Sequence, residues 1–180
     1  MKAIFVVLLV AGVMSGPAVA EPPSGASPLL GSWAVDVSRL PMPPAARPRS
    51  VTITFSEAGA GRWTTCVDIV DAGGAASHAT STAALDGTAA PVEDSIEADT
   101  VALELPASNV LVMDLVKGGI PASTRVYTVA VDGRTLTETA SYAGGHGLPM
   151  MRTNHFTRIR RQDCPAPEQA RSTAAMGCGR

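Results

Sequence analysis

From residue 32 to residue 160 the chain breaks into short segments in which apolar and polar residues alternate, each set off from the next by turn formers. Residues 51–55, VTITF, place Val51, Ile53 and Phe55 on one side and Thr52 and Thr54 on the other. Residues 62–70, RWTTCVDIV, do the same with Trp63, Thr65, Val67 and Ile69. The pattern opens at 32–38, where Trp33, Val35 and Val37 share a face, and returns at 77–85, 100–105, 109–116, 123–131, 135–142 and 151–160. A period of two marks a strand with one buried face, and no segment repeats with a helical period. Short connections set successive strands side by side as an antiparallel meander. About nine strands in a row leave two unpaired edges unless the sheet curls until its ends meet. The expected fold class is all-β, an antiparallel up-and-down β-barrel of about eight to ten strands, with a two-sheet β-sandwich as the alternative.

The connections carry their own chemistry. Gly-rich stretches at 57–61, 71–74 and 117–119 and the pair Asp132-Gly133 are hairpin signals, the last suited to a two-residue turn with positive φ. Residues 41–44, PMPP, stop the first strand, and residues 91–99 read as an acidic connection.

The ends of the chain differ from its middle. Residues 1–20 have one positive charge at Lys2, an apolar run from about residue 3 to 14, and small residues at Ala18 and Ala20. That is a signal peptide, with cleavage expected between Ala20 and Glu21 and a periplasmic or secreted destination. The apolar run is too short to span a bilayer, so no stable membrane insertion is expected. The expected organisation is a signal peptide at 1–20, a flexible arm at 21–28, a barrel domain at 29–161 and a Cys-containing tail at 162–180. Charge argues against one class of partner. No Lys or Arg lies between Arg62 and Lys117, whereas Asp68, Asp71, Asp86, Glu93, Asp94, Glu97, Asp99, Glu104 and Asp114 do. That stretch would repel a phosphate backbone, so nucleic acid is not an expected partner.

One motif at the start of the first strand is more specific. Gly31-Ser32-Trp33 resembles the Gly-x-Trp signature of lipocalins, in which the Trp plugs one barrel end under an Arg from the last strand. Residues 29–160 are similar, in particular, to a group of secreted bacterial lipocalin-like proteins of the calycin type. The shared order is Gly-x-Trp with Ser38 soon after, a Pro-rich segment, Asp86-Gly87 followed by Pro91-Val92, then Asp99-Thr100-Val101, then Asp132-Gly133-Arg134-Thr135-Leu136-Thr137. The resemblance implies a barrel plugged by Gly31, Trp33 and either Arg158 or Arg160, and it assigns no reaction. A guanidinium over an indole contributes about 0.5–2 kcal/mol.

Cys66, Cys164 and Cys178 allow one disulfide and one leftover thiol in an oxidising compartment. Cys164 and Cys178 bracket the tail and need no register with the barrel, so their pairing is the favoured one. Cys66, on the outward face if Trp63 and Val67 face in, is the alternative partner, and its bridge would resemble the strand-to-tail disulfide of lipocalins.

Catalytic and metal motifs are missing. His78, His146 and His155 have no metal-ligand spacing, and the acidic residues at 93–99 lack the calcium-loop pattern. No Ser sits in a G-x-S-x-G elbow, and the glycines at 144–147 do not open a helix. No cofactor, metal or enzymatic activity is expected. The expected function is an exported, non-enzymatic binding barrel for a small apolar or amphipathic ligand. Its lining candidates, chosen by inward alternation, are Phe55, Trp63, Val67, Leu103, Tyr127 and Leu136. The alternative is an envelope structural or interaction module with a packed interior. The sequence leaves the oligomeric state open.

Overall fold

Every strand pairs antiparallel with its neighbours in sequence, and the first pairs with the last, so the sheet closes on itself. In a computed structural model of the chain, which describes residues 26–143, 148–160 and 164, the barrel has ten strands. They are β1 (Gly31–Val35), β2 (Ser50–Gly59), β3 (Arg62–Val70), β4 (Ala76–Ala84) and β5 (Ala90–Glu93). The second half comprises β6 (Thr100–Ala107), β7 (Val110–Lys117), β8 (Ile120–Val129), β9 (Thr135–Ala143) and β10 (Pro149–Ile159). The closed barrel removes the sandwich alternative. Its all-antiparallel, ten-strand architecture is consistent with a lipocalin-like fold. Among the described residues no helix is long and apolar enough to cross a membrane.

The register fixes which residues face in. Trp33 lies between Ile53 of β2 and Arg158 of β10, Ile53 pairs with Val67, and Phe55 pairs with Thr65. Further round, Leu136 pairs with both Phe156 and Val129, and Tyr127 with Glu138. These residues share the inner surface. Trp33, Phe55, Leu103, Leu111, Tyr127, Val129 and Leu136 are all essentially inaccessible to solvent.

Three boundaries differ from the sequence reading. β1 stops at Val35 because the Asp36 carboxylate accepts hydrogen bonds from the Ser38 N–H (3.1 Å) and hydroxyl (2.5 Å), coiling residues 37–39 into a 3-10 turn. β5 falls within the stretch read as an acidic connection. It pairs at only two positions on each side, as befits a strand whose second residue, Pro91, has no N–H to donate. At Asp132-Gly133 only the glycine takes positive φ (64°). The Asp132 carboxylate instead accepts from the Arg134 and Thr135 N–H groups, so the connection is longer than a two-residue turn.

One end of the barrel is plugged. Trp33 is fully buried and donates its indole N–H to the Leu29 carbonyl at 2.8 Å. The Arg158 guanidinium carbon lies 4.1 Å from the Trp33 ring centroid. Arg158 also donates to the carbonyls of Gly133 (2.7 Å), Leu30 (2.8 Å) and Pro28, tying three chain segments together. Gly31 sits beneath it at φ 118°, where a Cβ would come within 2.8 Å of the Arg158 Nη1. Ser27 completes the closure by bonding the Ser108 carbonyl at 2.6 Å. Of the two arginines considered, Arg158 covers the indole and Arg160 is exposed.

The disulfide joins Cys66 to Cys164, which corrects the favoured Cys164–Cys178 pairing. Cys66 pairs with Thr54 and Thr80 on the outward face of β3, and its Cα lies 5.9 Å from that of Cys164, within the normal bridging range. The bridge is compatible with an oxidising compartment. Cys178, the expected signal peptide at 1–20, most of the expected arm at 21–28 and tail at 162–180, His146 and the glycines at 144–147 lie outside the described residues.

Replacing Trp33 with Ala should cost about 3–5 kcal/mol, the usual loss for a buried large aromatic. Chemical denaturation would show this as a lower midpoint at unchanged slope. The Cys66–Cys164 bridge spans 98 residues of sequence. Cys164→Ser should therefore lower stability by about 2–4 kcal/mol, and non-reducing peptide mapping of the wild type should recover the two cysteine peptides joined.

Candidate functional site

The alternation that closes the barrel also determines what fills it. Towards the plugged end the inward side chains are large. Phe55 meets Tyr127 edge-on at 5.5 Å between centroids, Trp63 lies 6.2 Å from Phe55, and Phe156 lies 6.3 Å from Tyr127. Edge-to-face contacts at these distances stabilise a packed aromatic core. Among the described residues, buried side chains fill that half of the lumen.

Towards the other end the inward residues become smaller. A cavity of about 60 Å³ opens there, with apolar walls from Ile53, Val67, Ala79, Val101, Met113 and Leu115 and with Tyr127 among its lining groups. Thr65, Ser81 and Arg125 add polar atoms to the wall, and Ser95, Glu97 and Ala98 of the β5–β6 connection complete the lining. The Thr65 hydroxyl is buried and finds no hydrogen-bond partner among the described residues. A wider hollow of about 280 Å³ lies at the rim against Pro121, Tyr142 and Pro149.

The lumen also holds a buried polar cluster. The Glu138 carboxylate is 3% exposed and accepts from the Tyr127 hydroxyl (2.8 Å) and the Asn154 amide (2.5 Å). Arg125 Nη1 lies 3.6 Å from the same carboxylate. On its other side Arg125 Nη2 meets Glu97 at 2.7 Å, and its Nε donates to the Ser123 hydroxyl at 3.2 Å. Burial opposes the charge on Arg125, but the fields of Tyr127, Glu97 and Glu138 outweigh it and hold the guanidinium protonated. Burial first, and then the neighbouring Glu138 carboxylate, push the Tyr127 phenol well above its ordinary range. Its proton is thus committed to Glu138. The cluster sets one guanidinium between two carboxylates, so that the buried Glu138 carboxylate faces a cation and accepts two hydrogen bonds, which is what its burial requires.

All the candidate lining residues face inward, but they divide by depth. Val67 and Tyr127 border the cavity, whereas Phe55, Trp63, Leu103 and Leu136 pack beneath it. Alternation assigns a face and carries no information about height along the barrel. His78 is on the outer wall of β4, bonded to Asp68 at 2.7 Å, and makes no contribution to the lumen. Sequence reasoning missed Arg125 and Glu138. A signal for both was present: each interrupts an inward apolar face, and the pairing of Tyr127 with Glu138 sets them on adjacent strands. Glu97 was noted only as one of a run of acids.

No protein-family model matches this chain, and no curated protein matches it in sequence.

Because the Tyr127 phenol ionises less readily in the folded chain, the unfolded state gives up this proton first as pH rises past about 10. Its contribution is complete below that pH and is lost above it, at about 1.4 kcal/mol per pH unit. Tyr127→Phe should cost about 1–2 kcal/mol near neutrality through the lost hydrogen bond. Between pH 10 and 11.5 the variant's stability should fall less steeply than that of the wild type, by the equivalent of one proton. Urea titrations across that range provide the measurement.

Proposed function

We propose that this barrel is an exported, secreted lipocalin-like protein that binds a small apolar or amphipathic molecule in the open half of its lumen without converting it. The cavity carries this reading: an apolar wall meets a few convergent polar groups, Arg125 and Thr65 among them, opposite a plugged floor. Binding sites in barrels have this composition, with apolar surface for affinity and a few polar atoms for orientation. Export rests on the leader at 1–20, and the disulfide agrees with it. The fold supplies the concavity and leaves the choice of ligand to the side chains.

The competing reading, a structural module with a packed interior, draws on the size of the cavity. At about 60 Å³ it is well below the ~300–1,000 Å³ of most drug-sized ligand pockets. A ligand must therefore be small, or part of it must remain in the mouth.

Ala79 faces the cavity opposite Val67, and its replacement by Leu would fill the space. Ala79→Leu should abolish binding of small aliphatic acids and alcohols in calorimetric titrations while leaving the free energy of unfolding within about 1 kcal/mol of the wild type. Native mass spectrometry of the protein from its own host should show a bound small molecule in the wild type only. A wild-type barrel that takes none of these compounds would favour the packed module.

A further inference from the structure

The β5–β6 connection does more than join two strands. Residues 94–99 fold in over the open end, with Ala98 buried at 1% exposure against the core and the Ser95 hydroxyl capping the Glu97 and Ala98 N–H groups. Asp99 anchors the far end through Lys117 Nζ and the Gly118 N–H, each at 2.7 Å. Nearer the lumen the connection makes one ionic contact, between the Glu97 carboxylate and Arg125. The two partners are unequal. The Glu97 side chain is 58% exposed, whereas that of Arg125 is 15% exposed and is held from behind by Glu138 and Ser123.

We infer that Glu97 is a built-in stand-in for the ligand: it occupies the carboxylate receptor formed by Arg125, and the ligand is a short-chain monocarboxylate that displaces it. This deepens the proposed function and depends on it. Three observations point the same way. The buried partner of the pair is the guanidinium, and the other is an exposed carboxylate on a connection, so exchange requires only that Glu97 turn out to solvent. Exchanging one carboxylate for another keeps the charge around Arg125 unchanged. A phosphate or sulfate dianion would instead add charge next to Glu138, 3.6 Å from the same guanidinium. Finally, Arg125 and Glu97 border the cavity whose far wall is apolar, so an acid head on Arg125 would direct its tail inward, where the unpartnered Thr65 hydroxyl also lies. The cavity is smaller than the ~150 Å³ that accommodates benzene, which limits the tail to fewer atoms than a six-membered ring.

Glu97→Gln removes the competing charge at an exposed position and keeps the shape of the connection. The test titrates isovalerate, and 3-methylbutan-1-ol as its neutral analogue, into the disulfide-bonded wild type and the variant, with calorimetry and the Arg125 Nε–H resonance as readouts. The expected result is that Glu97→Gln binds isovalerate about three- to five-fold more tightly, as release from a partly exposed ion pair allows. The Arg125 signal should shift, and the affinity for the alcohol should stay the same. Unchanged or weaker isovalerate binding in the variant would overturn the stand-in role, as would binding that leaves the Arg125 resonance in place. Alcohol binding without acid binding would overturn this inference and leave the binding reading intact, whereas no binding of either compound to either protein would overturn both.

Discussion

A sheet of ten strands becomes a barrel only where its first and last strands meet, and here that meeting rests on Arg158. The seam is weak by itself, because β1 has five residues and offers few ladder bonds. Arg158 compensates by bonding carbonyls in the segment before β1 and in the β8–β9 connection while it covers the Trp33 ring. The rest of the molecule follows from that closure. Trp33 becomes a floor, Gly31 must lack a side chain, and inward alternation acquires an enclosed interior to face.

The interior so formed is two environments in series. Next to the floor, aromatic and branched side chains are buried against one another as one apolar core. Above them, smaller residues and a buried set of charges occupy the remaining space. The two halves place opposite demands on the chain. The lower half contributes stability through burial of apolar surface, and the upper half has to hold Glu138 away from water by giving it Tyr127, Asn154 and Arg125. Buried charges of this kind add little net stability, and removing one partner is costly. Of these groups, Arg125 and Tyr127 reach the wall of the cavity.

Much of the architecture was legible in the sequence because a period of two survives in every long strand. Val51, Ile53 and Phe55 announce an inner face without help from tertiary context, and Gly31-Ser32-Trp33 marks where closure begins. What escaped was whatever depends on contacts between distant segments. β5 has only four residues, too few to display alternation, and it exists because β4 and β6 flank it. The disulfide could not be chosen by loop length, since the outward position of Cys66 on β3 decides it. Arg125 and Glu138 interrupt inward faces within their own strands, but only cross-strand register shows that they face each other. Height along the barrel axis, which separates core from cavity, is a property of strand tilt and stagger that no single segment encodes.

The Cys66–Cys164 bridge has a mechanical meaning beyond its effect on the unfolded chain. Residue 164 follows β10, and Cys66 sits on β3, so the bond passes around the barrel across the seam between β10 and β1. If that seam parts, the disulfide still ties the end of β10 to β3, two strands beyond β1, and the return of the edges is an encounter at high effective concentration. The barrel is thus a staved vessel with a strap across its joint. The seam between β10 and β1 can part without the two sides coming away from each other.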